Sequence, residues 1–339
     1  MTTSITRKQF LIGAGVTAGA AMLRPFSVRA ARPIVIKIGI DQKLDNPITQ
    51  HLITTANRIK TETNGEVDMQ VFPNNELGTD MNTLAGVRSG AVQMMAIGDN
   101  ILSTLVPSAA IDNVGFAFND SETVYAAVDG AVGDLVRADI MKRGLYPMRA
   151  IWSSGFRQVT TNSKPINTPE SMKGLLIRVP ESPIALSLFK NLGAAPETLD
   201  YAAVYTALQT HVMDGQENSI GDIETQKYYQ VQKYCSLTSH MWVGNWMIMN
   251  GTFWKGLPSD HQKVIAGVFD AQAAKARAAF DAFDRSMQAK LTSQGLKFNK
   301  PDRVSFRAAL AKKGFYDAWQ KKFGSGLWSA LEKYTGPLG

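Results

Sequence analysis

The residue best placed to do chemistry in this chain is an arginine. Arg178 stands in Leu175-Leu176-Ile177-Arg178-Val179-Pro180, a short apolar run that reads as a strand ended by proline. Ligand crevices of open α/β sheets lie outside the carboxyl ends of their strands, so a side chain at this position is expected to face a cleft. Its guanidinium is permanently charged, and its planar fork matches both oxygens of a carboxylate. A structural alternative stays open, in which Arg178 bridges to an acidic neighbour such as Glu181. Asp99 and Asn100 follow a second apolar segment, residues 91–97, in the same strand-end position. Trp246, within His240-Met241-Trp242-Val243-Gly244-Asn245-Trp246, offers either an aromatic wall for a ligand or a core anchor.

Other chemistries lack their parts. The four histidines, His51, His211, His240 and His261, show no metal-ligand spacing, and no cofactor is expected. Gly86-Val87-Arg88-Ser89-Gly90 puts its serine one place too late for a nucleophile elbow. No phosphate-binding G-x-x-x-x-G-K-[ST] loop occurs, and the glycines at 13, 15 and 19 precede the first strand. Cys235 is the only cysteine, so no intrachain disulfide can form, and its apolar neighbours mark it as a small core residue. A periplasmic hydrolase or transferase would need a positioned base and nucleophile that these residues do not assemble. A binding protein, not an enzyme, is the expectation.

The elements that would position Arg178 alternate regularly. Ile34-Val35-Ile36-Lys37-Ile38-Gly39-Ile40 is nearly continuous apolar sequence, as in a strand buried on both faces. Asp45-Asn46-Pro47 caps and opens a helix whose apolar face carries Ile48, Leu52, Ile53, Ala56 and Ile59. Residues 67–71 alternate like a strand, a helix starts at Thr79, and 91–97 reads as the next strand. Strand, helix, strand, helix, strand at this spacing predicts a parallel sheet with right-handed crossovers. A helix is expected over 121–142, strand-like segments over 146–152 and 158–162, and a helix over 201–211. The alternation restarts near residue 168, which predicts a second α/β unit. A helical stretch from 258 to 294 contains one glycine and no proline after Pro258; its length of about 50 Å would let it lie along both units as a spine. Phe315, Trp319, Phe323 and Trp328 are the expected anchors of the C-terminal segment.

The chain has 339 residues, 45% hydrophobic and 19% charged, with a formal net charge of +7. Four of the basic residues, Arg7, Lys8, Arg24 and Arg29, fall in the first 30 positions, which hold no acidic residue. The rest of the chain is therefore only mildly basic, without the clustered Lys/Arg stripe of a nucleic-acid binder. Thr6-Arg7-Lys8-Gln9-Phe10-Leu11, the apolar stretch over 11–23 and Val28-Arg29-Ala30 read as an export signal, 1–30, cut after Ala30. The apolar stretch is too short to span a bilayer, which takes about 20 residues. It resembles a twin-arginine (Tat) signal, with Lys8 where the second arginine belongs, and implies a periplasmic location.

Three stretches together resemble the TRAP-transporter solute-binding family (the DctP type). They are Gly155-Phe156-Arg157-Gln158-Val159-Thr160-Thr161-Asn162 with Pro165 and Thr168-Pro169-Glu170; Met172-Lys173-Gly174 leading into Arg178-Val179-Pro180; and Leu208-Gln209-Thr210 with Val212-Met213-Asp214-Gly215-Gln216-Glu217-Asn218. Phe72-Pro73-Asn74-Asn75-Glu76-Leu77-Gly78 and Gly90-Ala91-Val92 are similar landmarks. The resemblance implies a two-lobed, periplasmic-binding-protein-like fold: two α/β domains around a cleft, with a long helix spanning both. The lobes would be 31–154 plus 244–283, and 155–243 plus 284–339. It implies capture of a small organic acid through its carboxylate and delivery to TRAP membrane permease subunits. An ABC-type solute-binding protein is the alternative with the same two-lobed physics. By resemblance, Arg178 pairs with the ligand carboxylate, Arg157 is a second clamp, and Asn218 contacts the ligand. Glu217 either meets the ligand or orients an arginine. Tyr201 packs over the ligand or in the core. Gly98 stands where some sugar-acid binders carry a carboxylate, so the far end of the ligand is expected to be less densely charged than a sugar acid's.

Overall fold

The computed structural model describes residues 32–339, and Pro33–Gly339 form one compact unit. The expected export signal, 1–30, lies outside the described residues.

Among the described residues, twelve strands carry the fold. Those of the first sheet are β1 (Ile34–Gly39), β2 (Val67–Phe72), β3 (Met94–Gly98), β4 (Leu145–Pro147), β5 (Trp152–Phe156) and β11 (Trp242–Asn250); those of the second are β6 (Gln158–Thr161), β7 (Leu176–Val179), β8 (Ala195–Thr198), β9 (Gly215–Asn218), β10 (Tyr234–Ser236) and β12 (Lys297–Asn299). The first sheet runs β2-β1-β3-β11-β4, with β5 also paired to β11. Its first three strands are parallel, as the alternation predicts, and β11 inserts antiparallel beside β3. The second sheet runs β12-β10-β6-β9-β7-β8. β7 lies between β8 and β9 and is parallel to both.

Local chemistry explains the element ends. The Asn46 side chain accepts the Ile48 N–H, Pro47 occupies the first turn, and helix Pro47–Glu62 turns Ile48, Leu52, Ala56 and Ile59 inward. The helix expected over 121–142 is two helices, Ser121–Asp129 and Ala131–Lys142, because Gly130 leaves helical geometry at ψ −149. The helix expected over 201–211 is a tight turn, Tyr201–Ala203, followed by Val204–Gln209.

Helix Ser259–Ser293 is the expected spine. Its 35 residues pack on helix Pro47–Glu62 and β5 at one end, and on helix Ile220–Thr225 and β12 at the other. Arg277 forks onto both oxygens of Asp129 at 2.6 and 2.8 Å. Asp281 accepts from Tyr125 Oη at 2.9 Å and Ser153 Oγ at 3.1 Å, tying the spine to the first sheet. One turn on, Asp284 accepts the Gly221 N–H at 2.8 Å, tying it to helix Ile220–Thr225, which follows β9 of the second sheet. Gly155 lies beside it at φ +80, where a Cβ would stand 3.1 Å from Phe280 Cε1. Only glycine suits both that conformation and that contact.

One apolar cluster runs from Ile97 and Trp246 of the first sheet through Val159 and Ile177 of the second to Phe315 and Trp328. The opposite face of the first sheet closes on the spine through Ile36, Met247, Phe269 and Phe280. Cys235 is buried in a third cluster with Leu208 and Leu291. The tail touches both halves: helices Arg303–Lys312 and Phe315–Phe323 pack on Pro183–Asn191, whereas Ser325–Thr335 packs on Ser121–Asp129 and Ala131–Lys142.

Candidate ligand-binding cleft

Strand ends of both sheets converge on a narrow cavity, part of it open to solvent. Arg178 enters from β7 and is 1% exposed. Its Nε and Nη2 donate to the Leu199 carbonyl at 2.8 and 2.6 Å. Among the described residues it forms no ion pair, with Glu181 or any other carboxylate, and Nη1 has no hydrogen-bond partner. Half of the fork is thus spent on holding the side chain in place, and the other half faces the cavity that Arg178 lines.

Arg157 lines the same cavity from the crossing between β5 and β6. Its Nε donates to Glu217 Oε2, and its Nη2 reaches Glu217 Oε1 at 3.0 Å and the Glu217 carbonyl at 2.7 Å. Glu217 is fully buried and does not line the cavity, so it orients Arg157 instead of meeting a ligand. His240 Nε2 lies 3.1 Å from Glu217 Oε2, and Thr238 Oγ1 is 2.8 Å from His240 Nδ1. Burial pushes the Glu217 carboxyl up, but the Arg157 charge and the bonds from His240 and Arg157 hold it below the usual range. Burial lowers the His240 imidazole, favouring its neutral form.

Asn218 ends β9 at 1% exposure, and its Nδ2 has no protein partner although it is fully enclosed. A buried amide donor without an acceptor is costly. Asn218 lines the cavity. Tyr201 also lines it, with Oη 3.3 Å from Gln42 Oε1, and burial pushes its phenol well up. Asn100 lines it too.

Two expected site residues do other work. Asp99 is fully buried and stays off the cavity wall. It accepts the Asn100 N–H at 2.6 Å, the Asn113 Nδ2 at 2.9 Å and the Gly244 N–H at 2.6 Å, fastening the loop after β3 to β11; burial raises its carboxyl to about 7. Trp246 is 1% exposed and belongs to the shared apolar cluster. Asn245, its neighbour on β11, lines the cavity instead.

The sequence reading missed the acidic wall. Asp41 follows β1 and Asp222 sits in the first turn of helix Ile220–Thr225, and both line the cavity. Asp222 accepts from Asn46 Nδ2 at 3.2 Å and Ser154 Oγ at 3.4 Å; burial, opposed by Arg157, places it at about 6. Burial, then Asp80 and Asp222, push Asp41 well above the usual carboxylate range. Gln42 and Ser154 complete a polar lining. Neither aspartate belongs to a readable motif; the register of β1 and the N-terminal turn of a six-residue helix bring them together. Among the described residues no three His, Cys, Asp or Glu side chains converge to hold a metal ion, and no helix is long and apolar enough to cross a membrane.

This geometry has counterparts. Residues 39–321 match the model of the bacterial extracellular solute-binding protein family 7, DctP. The chain is 34% identical over 207 residues to the 2,3-diketo-L-gulonate-binding periplasmic protein of Escherichia coli (strain K12), covering 61% of this chain and 63% of that one. It is 32% identical to the C4-dicarboxylate-binding periplasmic protein DctP of Rhodobacter capsulatus, covering 76% of each. The alignments span about 60% of the length of the first of these curated relatives. A crystal structure of a TRAP periplasmic solute binding protein from Sulfurospirillum deleyianum with bound succinate superposes with a TM-score of 0.84 at 27% identity, over 90% of this chain and 99% of that one. A family model matched over most of the chain, joined to a two-sheet fold around an arginine-lined cleft, means that this chain belongs to the bacterial extracellular solute-binding protein family 7.

Proposed function

We propose that the chain is the extracytoplasmic solute-binding protein of a TRAP transporter. It captures a small organic acid in the cleft and delivers it to membrane permease subunits. The observation that carries this reading is the convergence of three uncommitted donors on one cavity: Arg178 Nη1, Arg157 Nη1 and Asn218 Nδ2. A carboxylate offers about four lone-pair sites and is the simplest group that satisfies all three. The lobes assigned above, 31–154 plus 244–283 and 155–243 plus 284–339, are supported by the division of strands between two sheets and by the spine that packs on both.

Binding to the native state alone raises thermal stability by mass action, by about 2.7 kcal/mol at a hundredfold excess over Kd. A thermal-shift screen against monocarboxylates, dicarboxylates, sugar acids and aromatic acids should therefore find at least one class that raises Tm. Failure of every acid, with a shift from neutral sugars or amines, would overturn the reading. The leader supports export through the Tat route with processing after Ala30; N-terminal sequencing of the exported protein should begin at Ala31.

A further inference from the structure

Behind the first-sheet wall of the cavity lies a pair of buried carboxyls. Asp112, in the tight helical turn Pro107–Asn113, is 3% exposed, and its carboxyl hydrogen-bonds that of the fully buried Asp99. Asn113 Nδ2 donates to Asp99 Oδ1 at 2.9 Å and to the Trp242 carbonyl at 2.8 Å, and lies 3.4 Å from Asp112 Oδ1. Asp99 is the one charge that acts on Asp112. Strands β3 and β11 bring no charged side chain to the pair. On the helices packed against Pro107–Asn113, Arg137 is engaged by Asp134, Asp139 by Lys142, and Glu332 by the Leu338 N–H. Asp317, Lys190, Lys321, Lys322 and Lys333 there are exposed. The cations of the cavity, Arg157 and Arg178, bond Glu217 and the Leu199 carbonyl.

Resting on the reading of this cleft as the ligand site, we propose that Asp112 is a positioning residue for binding: it keeps a proton between itself and Asp99 and thereby holds the Asn100–Asn245 wall in place.

Two carboxyls in contact and out of water, with no cation paired to either, cannot both ionise. One proton therefore stays between them. Asp99 accepts three short N–H bonds, from Asn100, Asn113 and Gly244, which makes it the carboxylate and Asp112 the acid that donates to it. Burial and the Asp99 charge push Asp112 well above the usual carboxylate range, in the same sense. The bonds of Asp99 run directly behind the wall. Asp99 stands between Gly98 and Asn100, and its partner Gly244 stands between Val243 and Asn245; all four neighbours line the cavity. The β3–β11 ladder ends at Gly98–Asn245, so beyond that point Asp99 is the link between the turn after β3 and β11. The wall is tightly packed: a Cβ on Gly98 would stand 2.5 Å from Asn100 Oδ1. Without the Asp112 proton, two like charges would push Asp99 away from Gly244, and Asn100 and Asn245 would move with it.

Two measurements on the full chain test this. Carbon-13 NMR of the aspartate carboxyls at pH 8, with no ligand present, should show Asp112 protonated beside an ionised Asp99; two ionised carboxyls would overturn the inference. Calorimetric titration with succinate and with galactonate then compares variants. Asp112→Leu removes the donor and should weaken the tighter-binding acid by at least about tenfold. Asp112→Asn keeps an N–H donor for Asp99 and has no proton to lose, so it should stay within about threefold of wild type. Leu291→Ala, a truncation in the separate apolar cluster around Cys235, should lower Tm yet leave affinity within about threefold. Unchanged affinity in folded Asp112→Leu, failure of Asp112→Asn to restore it, or an equal loss in Leu291→Ala would make the pair structural and overturn the inference, leaving the organic-acid reading intact. If no acid binds wild type, the organic-acid reading falls, and the backbone amide resonances of Asn100 and Asn245 decide the positioning claim. Asp112→Leu should shift them far more than Asp112→Asn does, and equal shifts would overturn it.

Discussion

At the scale of residues, the cleft is a set of side chains each held by the protein through only part of its bonding capacity. Arg178 spends two nitrogens on one carbonyl, and Arg157 spends two on Glu217. Asn218 spends none of its Nδ2 capacity. Asn218→Ala should therefore weaken ligand binding by roughly tenfold, the loss of one hydrogen bond to a charged group at about 1.5 kcal/mol. It should leave the unliganded Tm unchanged or slightly raised, because no protein bond is broken; calorimetric titration and scanning calorimetry read the two effects separately. Glu217→Gln should behave differently. It strands the buried Arg157 charge, at a cost of about 3 kcal/mol or more, which a denaturant titration at pH 7 would show. Glu217 is held below its ordinary value, so its stabilising contribution is present above about pH 4.5 and is lost as pH falls further. The gap between wild type and variant should accordingly narrow in acid. Arg178, Arg157 and Asn218 were legible as cavity-lining residues because each lies at or next to a strand end inside a recognisable stretch. Asp41 and Asp222 were not, since only the folded register puts them on one wall. Asp99 and Trp246 were misread because a strand-end position does not say whether a side chain turns to the cleft or into the core.

At the scale of elements, strand ends aim the groups and the spine helix holds the two walls. Asp281 and Asp284, one turn apart, reach Ser153 beside the cleft residue Ser154, and Gly221 beside the cleft residue Asp222. Burial, partly offset by the Gly221 N–H, raises Asp284 from 3.8 to about 7. The folded state then holds a proton that the unfolded state has released, so the contribution of this group to stability falls as pH rises from about 4 to 7. Asp284→Asn keeps an acceptor for Gly221 and removes the titration. Its Tm should decline less than that of wild type between pH 5 and pH 8, by scanning calorimetry; an unaltered slope would mean that Asp284 does not titrate there. The helix faces of the first half were readable from periodicity and caps, and the spine from its length. β11 escaped notice because all nine of its residues are buried, so it shows no alternation. The break at Gly130 lay within an otherwise continuous helical pattern, and a single glycine is not a reliable stop.

At the scale of the whole molecule, two sheets, one shared apolar cluster and one long helix surround the cleft. The two-lobed class was legible from the restart of strand–helix alternation. The tail's contacts with both halves were not, because its short amphipathic helices carry no signal of which surface they cover. A ligand shifts such a molecule toward closure only by its differential affinity for the closed form. Small-angle scattering should show a smaller radius of gyration at saturation, and an unchanged radius would count against hinge closure. The account rests most heavily on the claim that a ligand carboxylate is met by Arg178. Truncating one partner of a buried, hydrogen-bonded charge pair costs about 2–5 kcal/mol. The direct measurement is calorimetric titration of folded Arg178→Ala beside wild type, with the acid that gives the largest thermal shift. A loss of about thirtyfold or more, only partly recovered by Arg178→Lys, is the predicted result; affinity within about threefold of wild type would contradict the account and make Arg178 a structural residue.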